Sequence, residues 1–359
     1  MNHLLRLSLL LLLPLILLAC APPTPSADST PAARPEALIL VTHDSFDISA
    51  EVLAQFKNET GIEVQILKAG DAGEMLNTLL LSPEHPLGDV VYGLDNAFLS
   101  RALEANLFAP YPSPLLADIP DALELDPGHS LLPVDFGYVS LNYDKAWFTD
   151  KGLAPPDDLE DLAQPAYRSL AVIQNPASSS PGLAFMLATI ARFGESGDYT
   201  WLDYWRDLRA NDVLIADGWS EAYYGAFTAG SGGEGDRPIV VSYATSPAAE
   251  VYFNNLTEPP TASIDTPGNS FEQIEFVGIL ANSPRQETAR RLVDFLLSPA
   301  FQEDIPLHMF VYPANEKAAA GELFEQWAAI PGQPARLAPD AIASGREGWI
   351  SAWTDVMLR

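Results

Sequence analysis

Ala37–Leu67 reads ALILVTHDSFDISAEVLAQFKNETGIEVQIL. Its first six residues, Ala37–Thr42, form an apolar run fit for a buried strand. Val52, Leu53 and Phe56 then recur at helical spacing and predict a helix over Ile48–Asn58. Glu63–Leu67 alternates and predicts a second strand. The alternation continues with a helix over Glu74–Leu81, a short strand over Asp89–Tyr92 and a helix over Ala97–Ala105. Strands that alternate with helices predict an α/β lobe built on a largely parallel sheet.

The pattern restarts further on. Leu170–Ile173, Val213–Ala216 and Ile239–Ser242 read as strands, and Gly182–Phe193 and Glu221–Ala229 as helices. Trp201–Leu208 is amphipathic, with Trp201 and Trp205 four apart on its core-facing side. Arg285–Leu297, Pro299–Ile305 and most of Pro339–Leu358 are helical by pattern. Gly230–Asp236, GSGGEGD, lacks the GxGxxG spacing and does not stand between a strand and a helix, so it is read as a surface loop and not a phosphate cradle.

Before the first strand the sequence has a different character. Met1–Arg6 carries Arg6, Leu7–Leu18 is almost wholly leucine, and Ala19 and Cys20 follow. A short basic region, an apolar run and a small-residue cut site make a secretory signal, here residues 1–19. The run is shorter than the roughly 20 apolar residues that a membrane span needs. Cys20 is the chain's single cysteine, so no intramolecular disulfide is possible. Ala21–Pro35, APPTPSADSTPAARP, is rich in Pro, Ala, Ser and Thr and reads as a tether. In a polyproline-like state it would reach about 45 Å at about 3.1 Å per residue. The rest is too long for one small core and is expected to form two lobes. Two α/β units behind an exported, tethered N-terminus fit a clamshell binding protein, with ligand between the lobes at carboxyl ends of strands.

A formal charge of −29 excludes nucleic acid as a partner, because phosphates would be repelled over most of the surface. The five histidines, His3, His43, His85, His129 and His308, make no HExxH and no close pair, and there is no GxSxG elbow. Acids are abundant but no pair stands out. The expectation is a binding protein, not an enzyme, with no cofactor and no metal.

Several segments carry a resemblance. They are Thr42-His43-Asp44-Ser45-Phe46, Gly93-Leu94-Asp95-Asn96, Val134-Asp135-Phe136-Gly137-Tyr138 and Asn175-Pro176-Ala177-Ser178-Ser179-Ser180-Pro181-Gly182. Further on come Gly218-Trp219-Ser220-Glu221-Ala222-Tyr223, Ser242-Tyr243-Ala244-Thr245-Ser246-Pro247, Ser298-Pro299-Ala300-Phe301-Gln302 and Gly348-Trp349-Ile350-Ser351-Ala352-Trp353. Taken in order over nearly all of the folded region, the chain resembles the thiamine-binding proteins of bacterial thiamine ABC importers. Leu17-Leu18-Ala19-Cys20 likewise resembles the bacterial lipobox, which implies lipidation of Cys20 and a membrane-anchored lipoprotein in the periplasm or at the cell surface.

The resemblance implies a type II periplasmic-binding fold, a monomer, thiamine or a thiamine phosphate as ligand, and an ABC permease as partner. It implies Trp219 and Tyr243 as aromatic walls, and Ser178 and Ser179 at a polar end faced by Asp71 and Gly73. His43 and Phe310 occupy places where another aromatic residue and a tryptophan are expected, and Ala249 replaces a second tyrosine. Asp44, Asp95, Asp135 and Glu221 could set a negative field for a thiazolium, which gains about 0.5–2 kcal/mol from each good aromatic face. The lobes are expected over 36–133 plus 246–298 and over 134–245 plus 299–359, with crossings near Asp135–Val139 and Tyr243–Ser246.

A second reading is a ferric-ion or other small-solute binding protein of a related importer. Tyr223 and Tyr224 are a tyrosine pair of the kind that ferric-binding relatives use, with His43 and either Asp44 or Glu221 to complete a hard-cation site. Adjacent helical residues point about 100° apart, however, which would put one ring in the core and the other in solvent.

Overall fold

The computed structural model describes residues 37–230 and 234–359. The expected signal, Cys20 and the tether lie outside the described residues, as does the middle of the glycine-rich loop.

The opening stretch folds by its local pattern. β1 (Leu38–Thr42) is followed by α1 (Ala50–Thr60), whose N-cap Ser49 accepts a hydrogen bond from the Val52 N–H at 3.2 Å. Gly61 ends α1 at φ +71°, a conformation that glycine adopts freely. β2 (Val64–Lys68) and β3 (Val90–Asp95) lie parallel to β1 on either side, with α2 (Ala72–Leu81) between them in sequence. α3 (Leu99–Glu104) and the short β4 (Phe108–Ala109) follow.

Next comes β5 (Leu132–Asp144), thirteen residues long, and then α4 (Lys145–Lys151). β6 (Ala171–Gln174), α5 (Ser180–Phe193), α6 (Trp201–Ala210), β7 (Leu214–Ala216) and β8 (Ile239–Tyr243) form the second alternating set. The predicted helix after β7 is a π-helix, Glu221–Ala226, in which Phe227 N–H donates to the Ala222 carbonyl five residues back. The chain continues through α7 (Ser246–Phe253), β9 (Thr261–Ser263), β10 (Phe271–Leu280), α8 (Gln286–Leu296), α9 (Pro299–Gln302), α10 (Ile305–His308) and β11 (Tyr312–Pro313). It ends with α11 (Glu322–Trp327) and α12 (Pro339–Met357).

The strands make one mixed sheet in the order β2-β1-β3-β10-β5-β8-β6-β7. Each end is a parallel triplet, as the alternation predicted. The middle is different: β10 runs antiparallel to both β3 and β5, and β5 antiparallel to β8. The sequence reading contains neither β5 nor β10 as a strand. β5 pairs with β10 over Leu132–Val139 and with β8 over Val139–Tyr143, so this one strand hands the sheet from one triplet to the other. β9 and β11 add to β5, and β4 to β10.

Apolar side chains from both triplets are buried. Trp201 and Trp205 face the core as their spacing predicts, and Trp205 meets Trp353 of α12 edge-to-face at 5.6 Å. Among the described residues no helix is long and apolar enough to cross a membrane.

Candidate functional site

Strands β1, β7 and β8 deliver their following or final residues to one cavity. His43 follows β1, Trp219 lies three residues beyond β7, and Tyr243 ends β8; all three line it. A crevice at the carboxyl ends of parallel strands is where an α/β sheet binds ligand. The cavity has about 930 Å³ of empty space, its open mouth and the adjoining solvent included.

One wall is aromatic. Trp219 stacks on Tyr223 with centroids 4.9 Å apart and planes 17° apart, and Tyr224 meets the indole edge-on at 5.3 Å. The Trp219 Nε1–H donates to Ser242 Oγ at 2.9 Å, which fixes the ring. The π-helix turns Tyr223 inward, where its hydroxyl donates to Glu250 Oε1 at 2.8 Å, and leaves Tyr224 43% exposed. Burial, then the nearby Glu250, push the Tyr223 phenol well above its ordinary value. Phe253 of α7 and Phe310 stand together at 5.1 Å and also line the cavity.

A second wall is made by Asp71, the N-cap of α2. Its Oδ1 accepts from the Ala72 N–H at 2.7 Å and the Ser180 N–H at 3.2 Å, and its Oδ2 accepts from the Trp219 N–H at 3.1 Å. One carboxylate thus ties the start of α2 to the start of α5 and to the loop after β7. Burial raises the Asp71 carboxyl above the usual range, opposed by these three N–H groups.

The floor is a hydrogen-bonded relay. Tyr243 OH donates to Gln273 Oε1 at 3.2 Å, and Gln273 Nε2–H donates to Glu275 Oε1 at 3.0 Å. Glu275 Oε2 then lies 3.5 Å from His43 Nε2. Burial alone would lower the His43 imidazole, but Glu275 beside it, with Asp71 further off, outweighs this, and the ring ends above its ordinary value. Gly93, at φ +93°, makes room for it: a Cβ there would sit 2.2 Å from His43 Cδ2.

Beneath the floor, three acids form a row across the sheet. Glu275 pairs in register with Asp95 on β3 and with Asp135 on β5. All three are nearly inaccessible. Burial, together with the neighbouring Glu275, pushes Asp95 up to about 7 and Asp135 well above the carboxylate range. Asp95 Oδ1 accepts from the Ala97 N–H at 2.7 Å, and Asp135 accepts from the Tyr92 hydroxyl.

Of the residues singled out in the sequence, Trp219, Tyr243, His43, Asp71, Tyr223 and Phe310 are brought together around the cavity. The others stand behind or beside it. Asp44 is exposed and accepts from the Gly70 N–H, and Glu221 accepts from the Asp217 N–H. Ser178 Oγ donates to the Asp217 carbonyl, Gly73 N–H donates to the Ser178 carbonyl, and Ser179 is buried at the start of α5. Asp95 and Asp135 lie in the sheet below. Pattern reading missed Glu275, Ser180, Glu250 and Phe253, all of which line the cavity, and it singled out Tyr224, which also lines it, only as a candidate metal ligand. Glu275 had a signal, a charge held between Ile274 and Phe276 in an apolar run; Phe253 had none. Among the lining residues four are carboxylic acids, Asp47, Asp71, Glu250 and Glu275, and none is lysine or arginine.

Comparison with known proteins places the chain. Residues 85–331 match the family described as bacterial extracellular solute-binding protein. The thiamine-binding periplasmic protein of Escherichia coli (strain K12) is 31% identical over 355 residues, spanning 97% of this chain and 98% of the relative. That of Salmonella typhimurium is 30% identical over 352 residues, with the same shares. A solved structure of a periplasmic thiamin binding protein superposes with a TM-score of 0.78 at 27% identity, covering 90% of this chain and 96% of the other.

Proposed function

The chain belongs to the bacterial extracellular solute-binding protein family, and from that premise we propose that it captures thiamine, free or phosphorylated, outside the cytoplasm and delivers it to an ABC permease. Its fold is the type II periplasmic-binding fold, and a protein of this family serves transport and is not an enzyme.

The observation that carries the reading is the lining of the cavity: flat aromatic rings and four acids, with no lysine or arginine. Such a lining suits a flat organic cation. The thiazolium of thiamine gains from the aromatic faces of Trp219 and Tyr224 and from the negative field, about 0.5–2 kcal/mol for each well-placed ring. His43, Asp71, Trp219, Tyr223, Tyr243 and Phe310 make up the proposed contact set, with Glu275 added.

The ferric reading is less well supported. Tyr223 is bound to Glu250 and held protonated, Tyr224 turns outward, and the two rings stand 83° apart. Neither Asp44 nor Glu221 lines the cavity.

The remaining proposals concern delivery. Cys20 is lipidated and anchors the chain through its tether. The lobes, 36–133 plus 246–298 and 134–245 plus 299–359, close on the ligand about the central strands. The closed monomer docks on the permease. Titration calorimetry with thiamine, its mono- and diphosphate and Fe³⁺ tests the ligand. Heat with the thiamine compounds and none with Fe³⁺ is expected; a visible tyrosinate–iron band with no thiamine heat would overturn the reading.

A further inference from the structure

Two polar atoms on the cavity floor face each other at 3.5 Å without hydrogen-bond geometry, and neither has another partner among the described residues. They are Glu275 Oε2 and His43 Nε2, both buried, on residues 6% and 8% exposed. Leaving a buried donor or acceptor unpaired costs about 1–3 kcal/mol. Native structures tolerate this where something absent from the free protein completes the bonds.

The local backbone is arranged to present this pair. The register of β10 shifts immediately after Glu275 against β5, and between Phe276 and Val277 against β3. A bulge re-aims a side chain, and bulges concentrate beside functional sites. The other Glu275 oxygen is held by Gln273, itself held by Tyr243, so Oε2 is the free end of a fixed group. Gly93 vacates the volume in which the His43 ring lies. Each of these features fixes an orientation, which a group serving only as a charge would not need.

A donor and an acceptor 3.5 Å apart on one face complement a ligand edge that offers an acceptor beside a donor. Thiamine has one such edge, the ring nitrogen N3 and the exocyclic 4-amino group of its pyrimidine; the thiazolium has none. Resting on the thiamine reading above, we propose that His43 and Glu275 read that edge, His43 Nε2–H donating to the ring nitrogen and Glu275 Oε2 accepting from the amine. The pyrimidine then points inward to the floor, and the thiazolium lies outward between the aromatic wall and the acids.

Oxythiamine tests this, because its 4-amino group is replaced by an oxo group and its N3 carries hydrogen, reversing the donor and acceptor order. Calorimetry on wild type should show thiamine preferred by about 10-fold or more. In Glu275→Gln, Gln273 Nε2–H should hold the amide oxygen, turning the amide –NH2 toward the ligand. Thiamine should weaken by about 10-fold or more while oxythiamine holds or improves, so the preference collapses or inverts. A variant that weakens both compounds by the same factor shows a merely structural Glu275 and overturns the inference. So does a wild type that binds both compounds equally, although the thiamine reading then stands. A wild type that binds neither overturns both. Should Glu275→Gln fail to fold, the wild-type preference decides alone.

Discussion

Trp219 and Tyr243 line the same cavity but are held in different ways. The indole is stacked on Tyr223 and tied to Ser242, so its energetic role toward a ligand is its remaining surface. Trp219→Ala should weaken thiamine binding by about 1–3 kcal/mol, or about 5- to 150-fold, and remove most of the ligand-induced quenching of tryptophan fluorescence. Trp205→Ala is the contrast. That ring is fully buried and its Nε1–H donates to Thr189 Oγ1 at 3.0 Å, so the loss should fall on stability, about 3–5 kcal/mol in denaturant melts. Tyr243→Phe keeps the ring but frees Gln273. A loss of about 0.5–1.5 kcal/mol, roughly 2- to 12-fold in affinity, is expected by titration. A silent Trp219→Ala beside an inactive Tyr243→Phe would point instead to ligation through the phenol.

At the scale of elements, much of the site is made of ends. α2 and α5 start, and β1 and β8 finish, around one space, and Asp71 holds two of those helix starts and the Trp219 loop together. Asp71→Ala leaves the Ser180 and Trp219 N–H groups without their acceptor. The cost should be about 1–3 kcal/mol in chemical denaturation, with faster hydrogen exchange at Ser180 and Trp219. Unchanged exchange at both would show that the carboxylate is dispensable as a tie. β5 was hidden in the sequence by Pro133 and Gly137, which punctuate it like a loop. Gly137 has a spatial reason: a Cβ there would lie 3.2 Å from the Tyr243 ring. β10 was hidden by Glu272, Gln273 and Glu275, polar residues in a strand that is buried at every position but Glu272.

Over the whole molecule, the acid row beneath the floor sets a pH dependence. Asp95 holds its proton in the folded state up to about 7, whereas an unfolded aspartate releases it near about 4. Between those values the folded state binds more protons, so the Asp95 contribution to stability falls as pH rises from about 4 to about 7 and is level above. Asp95→Asn, neutral throughout, should be more stable than wild type by about 1–4 kcal/mol at pH 8. Near pH 3 the two should be equal in urea melts. A variant less stable than wild type at pH 8 would mean that the ionised carboxylate is stabilising. Anchoring should be independent of all this. Cys20→Ala should move the protein from the membrane to the soluble fraction with its thiamine affinity unchanged; retention at the membrane would show a different attachment.

The sequence by itself determined what depends on near neighbours along the chain. The β1-α1-β2 opening, the two parallel triplets, the core-facing Trp201 and Trp205, and the aromatic character of Trp219 and Tyr243 all follow from local periodicity and motif. It did not determine which of its many acids would meet. Asp95, Asp135 and Glu275 are far apart in sequence and adjacent only because β10 inserts between β3 and β5, a pairing with no local signal. Likewise the serines of Ser178-Ser179-Ser180 look alike in sequence, yet only Ser180 lines the cavity. Periodicity fixes the face of an element; the partner that face meets is fixed by long-range pairing and by the orientation a bulge or a buried hydrogen bond imposes, and those the tertiary structure alone decides.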